Sequence, residues 1–191
     1  MHAPAVRASM RAMRLAIVGV VGSGTERWDE LSVPLGRWLA TQDCHLLTGG
    51  GAGVMAAVSE AFGAVSGRKG LVIGVLPGRV GEAFEYAARS GYPNPWVEIP
   101  IRTHLPLSGA RGRDTLSRNH INVLTADMVI ALPGGEGTRA EAELAVRYGR
   151  PVLLFGAPEA FGDFPGAPER TASLARVEAF VKRHLDGARS G

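Results

Sequence analysis

The most informative stretch of the sequence is Pro133-Gly134-Gly135-Glu136-Gly137-Thr138-Arg139-Ala140-Glu141. It follows an apolar run, 128–132, that predicts a buried strand, and it precedes 142–148, which predicts a helix ended by Gly149. Glycines between a strand and a helix let backbone N–H groups approach an anion, and a helix N-terminus adds unpaired donors and partial positive charge. The stretch therefore predicts a phosphate site that is formed by Gly134, Gly135, Gly137 and the Thr138 hydroxyl.

The carboxylate of Glu141 has two interpretations from the sequence. Thr138-x-x-Glu141 is the pattern of a capping box, in which the threonine caps the helix and the glutamate reaches back to its first N–H groups. Alternatively, Glu141 faces a ligand in which positive charge develops, which would explain a carboxylate next to a phosphate site. Both roles remain open at this point.

Strands and helices alternate along the rest of the chain. Apolar runs predict strands at 15–21, 45–48, 71–76, 128–132 and 151–155, with an edge strand at 96–101 because it contains Pro100. Helices are predicted at 29–40, from the 49–53 loop to about 65, at 82–89, from Asp114 or Thr115 to about 125, at 142–148 and at 169–185. This alternation predicts an α/β fold, a single domain with a mostly parallel sheet and ligand sites at the strands' carboxyl ends.

Two further glycine loops follow predicted strands. The first, Gly19–Gly24, contains Gly22 and Ser23 but lacks the G-x-G-x-x-G pattern of dinucleotide-binding proteins, and it is either a tight turn or a ligand contact. The second contains Gly49, Gly50, Gly51 and Gly53, more glycines than a simple turn requires, which favours close approach to a ligand. Three such loops at one sheet edge predict a composite site.

The segment 111–120 is rich in arginine. We expect Arg118, together with Arg113, to hold a phosphate or carboxylate through the planar guanidinium fork. The alternative is a solvated helix start that is capped by Asp114 or Thr115. Asp127, at the start of the strand before the glycine loop, is expected to be structural.

Composition narrows the class of protein. At 191 residues, of which 46% are hydrophobic and 20% charged, the chain fits one domain, with 14–191 as the nucleotide-binding domain. Residues 1–13 are expected to be a disordered extension, and Met13 is a candidate start. No apolar run reaches membrane-spanning length, and a net charge of +3 gives no basis for nucleic-acid binding. The lone Cys44 excludes disulfides and suits the cytoplasm, and no histidine spacing indicates a metal.

The motifs resemble those of the LONELY GUY (LOG) phosphoribohydrolases, a superfamily long mislabelled "lysine decarboxylases". The matching residues are Gly49-Gly50-Gly51-x-Gly53-x-Met55, Arg118 and Pro133-Gly134-Gly135-x-Gly137-Thr138-x-x-Glu141, within 15–155. Ser117-Arg118-Asn119 with Ala126-Asp127 is closer to the molybdenum cofactor carrier proteins of the same superfamily. The resemblance implies a Rossmann-like three-layer α/β/α fold, a homodimer or homotetramer, catalysis by Arg118 and Glu141, and phosphate binding by the Gly-Gly-x-Gly-Thr loop.

The leading hypothesis is an enzyme that hydrolyses the N-glycosidic bond of a nucleoside 5′-monophosphate and requires no cofactor. The alternative is a non-catalytic carrier that binds a nucleotide or the molybdenum cofactor. The hydrolases typically carry Arg-Lys where this chain has Arg118-Asn119, and Asn119 favours the carrier. With lysine only at Lys69 and Lys182, a pyridoxal-phosphate decarboxylase is not expected.

Overall fold

The structure is a computed structural model that describes residues 14–162, 164 and 168–190. Within that range, a seven-stranded parallel sheet forms the centre of the molecule. Its strands are β1 (Ala16–Val21), β2 (Cys44–Thr48), β3 (Val72–Leu76), β6 (Ile99–Arg102), β7 (Met128–Ala131), β8 (Val152–Phe155) and β9 (Glu169–Thr171). A separate antiparallel hairpin pairs β4 (Gly78–Val80) with β5 (Tyr86–Ala88).

The strand order is β6-β3-β2-β1-β7-β8-β9. The chain first builds the sheet outward from β1 through β2, β3 and β6, then returns to pair β7 with the other side of β1. The loops that leave β1 and β7 therefore diverge at the point where the strand order reverses, and ligands bind at such switch points. Both loops are glycine-rich, as the sequence predicts.

Helices cover both faces of the sheet, which confirms the predicted Rossmann-like α/β fold. The helices are α1 (Asp29–Ala40), α2 (Val54–Gly63), α3 (Asn119–Thr125), α4 (Glu136–Arg147) and α5 (Leu174–Ser190). One apolar core joins α1, α2 and α5 to the sheet, and a second joins α3 and α4 to its other face. The predicted inner face of the terminal helix packs into the first core through Leu174, Val177, Phe180, Val181 and Leu185.

Several predicted boundaries are wrong. The helix expected at 82–89 is the β4–β5 hairpin, because pairing of Gly78 with Ala88 overrides the helix propensity of the alanines and glutamates. The expected helix at 142–148 begins earlier, at Glu136. The expected helix at 169–185 begins later, at Leu174, because 169–171 pair with β8 as an added strand. The edge position of the strand that contains Pro100 is confirmed.

Asp127 has the structural role that was expected of it. Its carboxylate accepts a hydrogen bond from the Ile17 backbone N–H at 2.8 Å and pairs with Arg14 at 2.9 Å, which links the start of β7 to β1. The extension at 1–13 and part of the 157–168 loop lie outside the described residues. In the part of the chain that is described, no helix is both long and apolar enough to cross a membrane.

Candidate functional site: a cleft at the switch point

A cleft of about 360 Å³ opens where the loops after β1 and β7 meet. Eight of the residues singled out from the sequence line it: Gly22, Ser23, Met55, Arg118, Gly135, Gly137, Thr138 and Glu141. The cleft is thus enclosed by the first glycine loop, the N-terminus of α4 and the segment before α3. Five predicted residues do not line it: Gly50, Gly51, Gly53, Gly134 and Arg113.

The N-terminus of α4 presents free donors to the cleft. The first backbone bond of the helix runs from the Arg139 N–H to the Gly135 carbonyl, so the N–H groups of Glu136, Gly137 and Thr138 have no backbone acceptor among the described residues. The Thr138 hydroxyl likewise lacks a described partner. These donors, with the positive end of the helix dipole, form the kind of site that binds a phosphate.

The first glycine loop is fixed by Ser23. Its backbone N–H donates to the Pro133 carbonyl at 3.1 Å, and its carbonyl accepts from the Val54 N–H at 2.9 Å. Its hydroxyl accepts from the backbone N–H groups of Thr25 and Glu26. Ser23 therefore ties all three glycine loops together, which places them at one edge of the sheet as predicted.

The second glycine loop lies behind the wall of the cleft. A Cβ on Gly51 would lie 2.9 Å from the Tyr92 hydroxyl, and a Cβ on Gly53 would lie 2.7 Å from the backbone carbon of Gly24. Gly50 has a φ of +72°, and its Cβ would collide with Leu76. These glycines allow close packing of protein on protein, and their contact with a ligand stays a prediction.

Gly49 has a more specific effect on the site. A Cβ at this position would lie only 2.7 Å from Cζ of Arg118, so the guanidinium lies flat against the Gly49 backbone. Arg118 is 4% exposed and its Nε has no hydrogen-bond partner among the described residues. A buried guanidinium needs counter-charge and acceptors, and the first of these is Glu141.

Glu141 is buried at the cleft wall with its two oxygens in different surroundings. Oε1 accepts a hydrogen bond from Nδ2 of Asn122 at 2.7 Å and faces Nη1 of Arg118 at 3.5 Å. Oε2 has no hydrogen-bond partner among the described residues. Burial raises the pKa of Glu141 above the ordinary 4.5, against the opposing effects of Arg118 and Asn122. The carboxyl group is thus oriented through one oxygen and kept basic by its surroundings.

Two of the expected caps are absent. Gly135 precedes α4, no side chain caps that helix, and Glu141 lies well inside it, so the capping-box interpretation of Thr138 and Glu141 is wrong. Asp114 and Thr115 do not begin a helix either, because Asp114 pairs with Arg111 in a turn ahead of α3. The glutamate reaches sideways to α3 instead of back along its own helix.

Arg113 does not line the cleft and forms ion pairs with Glu143 and Glu136 of α4. Conversely, the cleft includes residues that the sequence did not single out as ligand contacts: Thr25, Arg89, Tyr92, Ser108, Gly109 and Asn119. Arg89 and Tyr92 follow the hairpin that was mistaken for a helix, so no sequence pattern located them. The described residues contain no cluster of three or more His, Cys, Asp or Glu that could hold a metal ion.

Fold and cleft together define a Rossmann-like protein with a cleft at its switch point, to which a helix N-terminus presents its backbone N–H groups. The chain belongs to the SLOG cluster4 family, whose model matches residues 15–181, and this confirms the predicted membership of the LOG-like superfamily. An uncharacterized protein of Archaeoglobus fulgidus is 30% identical over 148 residues, which cover 76% of this chain and 83% of the relative.

Two solved structures agree with this fold over nearly their whole length. The molybdenum cofactor binding protein from Rippkaea orientalis is 29% identical with a TM-score of 0.67, and the match covers 90% of this chain and 98% of that one. The molybdenum cofactor carrier protein from Chlamydomonas reinhardtii is 32% identical with a TM-score of 0.66, covering 91% and 99%.

Proposed function

We propose that this protein binds a nucleoside 5′-monophosphate in the cleft and hydrolyses its N-glycosidic bond. The phosphate would accept hydrogen bonds from the N–H groups of Glu136, Gly137 and Thr138 and from the Thr138 hydroxyl. The close approach of these groups is possible because Gly135 carries no side chain, and a Cβ there would meet no protein atom within 4 Å. Membership of the SLOG cluster4 family supports a nucleotide-type ligand.

The observation that carries the catalytic part of the proposal is the placement of Glu141. Its carboxyl group lines the same cleft as Thr138 and keeps Oε2 free while Asn122 and Arg118 hold Oε1. In the proposed step, water attacks C1′ of the ribose and the bond from C1′ to the base nitrogen breaks. Glu141 accepts the proton of the water and stabilises the positive charge on the sugar, and the base leaves with a proton from solvent.

The raised pKa of Glu141 suits this role, because a carboxylate that holds a proton more tightly is a stronger general base. Arg118 stays protonated and cannot supply a proton, so its part is to orient Glu141 and the ligand. A purely structural explanation competes with this one: Glu141 would only neutralise the buried Arg118. That explanation predicts loss of stability on substitution, without a specific loss of turnover.

A second candidate is a carrier that binds the molybdenum cofactor without cleaving it. It is favoured by the likeness to the cofactor-binding proteins of Rippkaea orientalis and Chlamydomonas reinhardtii. Asn119, which lines the cleft where the hydrolases typically have lysine, also favours it. In this case the phosphate of the molybdopterin would occupy the same α4 site, and Glu141 would serve as the counter-charge of Arg118. Assembly into a dimer or tetramer is part of both proposals.

The deciding experiment is a product assay with AMP, N6-substituted AMP and other nucleoside monophosphates. We expect free base and ribose 5-phosphate, and we expect Glu141→Gln to reduce the rate by about 100- to 10,000-fold. The matched control is Glu143→Gln on the same helix, because Glu143 pairs with Arg113 and does not line the cleft. Measurable binding without product from any of these compounds would support the carrier and reject the hydrolase for them. If Glu141→Gln retains the full rate of turnover, the role given to Glu141 is wrong, although the activity is right.

A further inference from the structure

A second cavity of about 280 Å³ adjoins the cleft at the β4–β5 hairpin. Two arginines line it, Arg79 in β4 and Arg89 just after β5. The rest of the wall is small or apolar and consists of Gly78, Ala87, Ala88, Ser90 and Pro106. No carboxylate belongs to this lining, so the cavity is basic as well as concave.

Both arginines lack a carboxylate partner among the described residues. Arg89 donates from Nη1 to the Ser108 hydroxyl at 2.7 Å, and Arg79 has no described ion pair or side-chain hydrogen bond. The other arginines near the cleft differ, because Arg118 faces Glu141 and Arg113 pairs with Glu143. Two arginines without a carboxylate partner at one cavity leave positive charge that an anion can neutralise.

The hairpin cavity lies next to the glycine-loop cleft, because Arg89 lines both. The link continues along the chain, since the partner of Arg89 is Ser108 and the next residue, Gly109, packs against Gly137. A Cβ on Gly137 would lie 3.2 Å from Cα of Gly109. One elongated ligand could therefore extend from the α4 N-terminus to the hairpin.

We propose that the hairpin cavity is a second anion subsite and that the ligand carries two anionic groups. One is the phosphate at the N-terminus of α4, and the other is a phosphate or carboxylate held between Arg79 and Arg89. This inference rests on the proposed function for the placement of the first phosphate. It narrows the ligand class to nucleotides with a second acidic group, on the sugar or on the base.

Paired ligands that differ by one anionic group test the subsite by calorimetry. Uridine monophosphate is compared with orotidine 5′-monophosphate, which adds a carboxylate to the base, and AMP is compared with adenosine 3′,5′-bisphosphate, which adds a phosphate. Titrations use the full chain with Glu141→Gln so that the ligands stay intact. We expect one doubly anionic compound to bind about tenfold more tightly than its parent. The preference should disappear in Arg79→Gln/Arg89→Gln and persist in Arg176→Gln, an exposed arginine on α5.

A crystal soak with tungstate provides a measurement that is independent of nucleotide binding. We expect one anomalous peak at 136–138 and a second between Arg79 and Arg89, with only the second lost in the double variant. Absence of the second peak, or equal affinities within both ligand pairs, would overturn the subsite. A second peak without any ligand preference would mark an adventitious ion only and would also overturn it. If the proposed function is wrong and the subsite is right, the unsubstituted protein releases no base but the preference for the doubly anionic ligand is still observed.

Discussion

The loops Gly49–Gly53 and Gly134–Gly137 look alike in the sequence and have different surroundings in the structure. The second of them begins α4 and exposes backbone donors to the cleft. The first lies behind the cleft wall, where each missing Cβ makes room for another part of the protein. A glycine-rich loop thus signals close approach, and only the fold shows whether a ligand or the protein itself makes that approach.

Arg118 connects the two loops. Its guanidinium lies against Gly49 on one side and faces Glu141 of α4 on the other. The loop Gly49–Gly53 therefore affects the cleft indirectly, through the position of the buried Arg118 side chain. Substitutions in the first loop should mainly lower the free energy of unfolding, whereas substitutions in the second loop should mainly weaken ligand binding.

The largest effect is expected from Gly53→Ala. Gly53 has a φ of +61°, and its Cβ would lie 2.7 Å from the backbone carbon of Gly24 and 2.8 Å from the backbone nitrogen of Thr25. Left-handed strain and a backbone collision together should lower the free energy of unfolding by about 3 kcal/mol or more. Urea denaturation measures this loss of unfolding free energy. Gly67→Ala is the control, since Gly67 has a φ of +76° but no atom within 4 Å of the added Cβ, and it should lose about 1 kcal/mol.

Gly49→Ala should affect both stability and binding. The added methyl group occupies the space of the Arg118 guanidinium, which must move within a buried site. We expect the free energy of unfolding to fall by about 2 kcal/mol and the affinity for AMP to fall about tenfold. Denaturation and calorimetry on the same preparation measure both quantities. Unchanged AMP affinity would show that Arg118 does not contribute to the ligand site.

Gly135→Ala should weaken binding and leave the fold intact. An added Cβ at Gly135 meets no atom within 4 Å, and Gly135 lines the cleft. The free energy of unfolding should stay within about 0.5 kcal/mol of the parent. The methyl group would obstruct the approach of a phosphate to the α4 N-terminus, so AMP should bind about tenfold more weakly. If Gly135→Ala binds AMP as tightly as the parent protein does, the two loops do not differ in their contribution to ligand binding.

The smallest effect is a shift in the pH profile of base release. Because burial raises the pKa of Glu141 above 4.5, the active carboxylate is lost as pH falls through that raised value. The acidic limb of kcat/KM should therefore lie above pH 4.5. The hydrogen bond from Asn122 lowers this pKa, so Asn122→Ala should move the limb to still higher pH. If the acidic limb does not move in Asn122→Ala, a group other than Glu141 causes it.

The sequence predicted the parts of the fold that depend on local apolar pattern. Strands β1, β2, β3, β7 and β8 are short buried runs, which a parallel sheet with two covered faces requires. The sequence also predicted that Arg118, Thr138 and Glu141 share a site, because their motifs follow strands at one sheet edge.

The parts that failed depend on contacts between distant segments. The hairpin at 78–88 overrides a helical composition, and β9 pairs with β8 where a helix was expected. The capping-box pattern was present, but Glu141 formed a hydrogen bond with Asn122 of α3 instead. Arg89, which lines the cleft, was missed because its position depends on that hairpin.

A crystal structure of Glu141→Gln with AMP would show directly which of the two loops holds the phosphate. We expect the phosphate within hydrogen-bond distance of the N–H groups of Glu136, Gly137 and Thr138, and the ribose next to residue 141. A phosphate bound on 49–53, or a nucleotide bound outside the cleft, would contradict the assignment of the two loops and the proposed function with it.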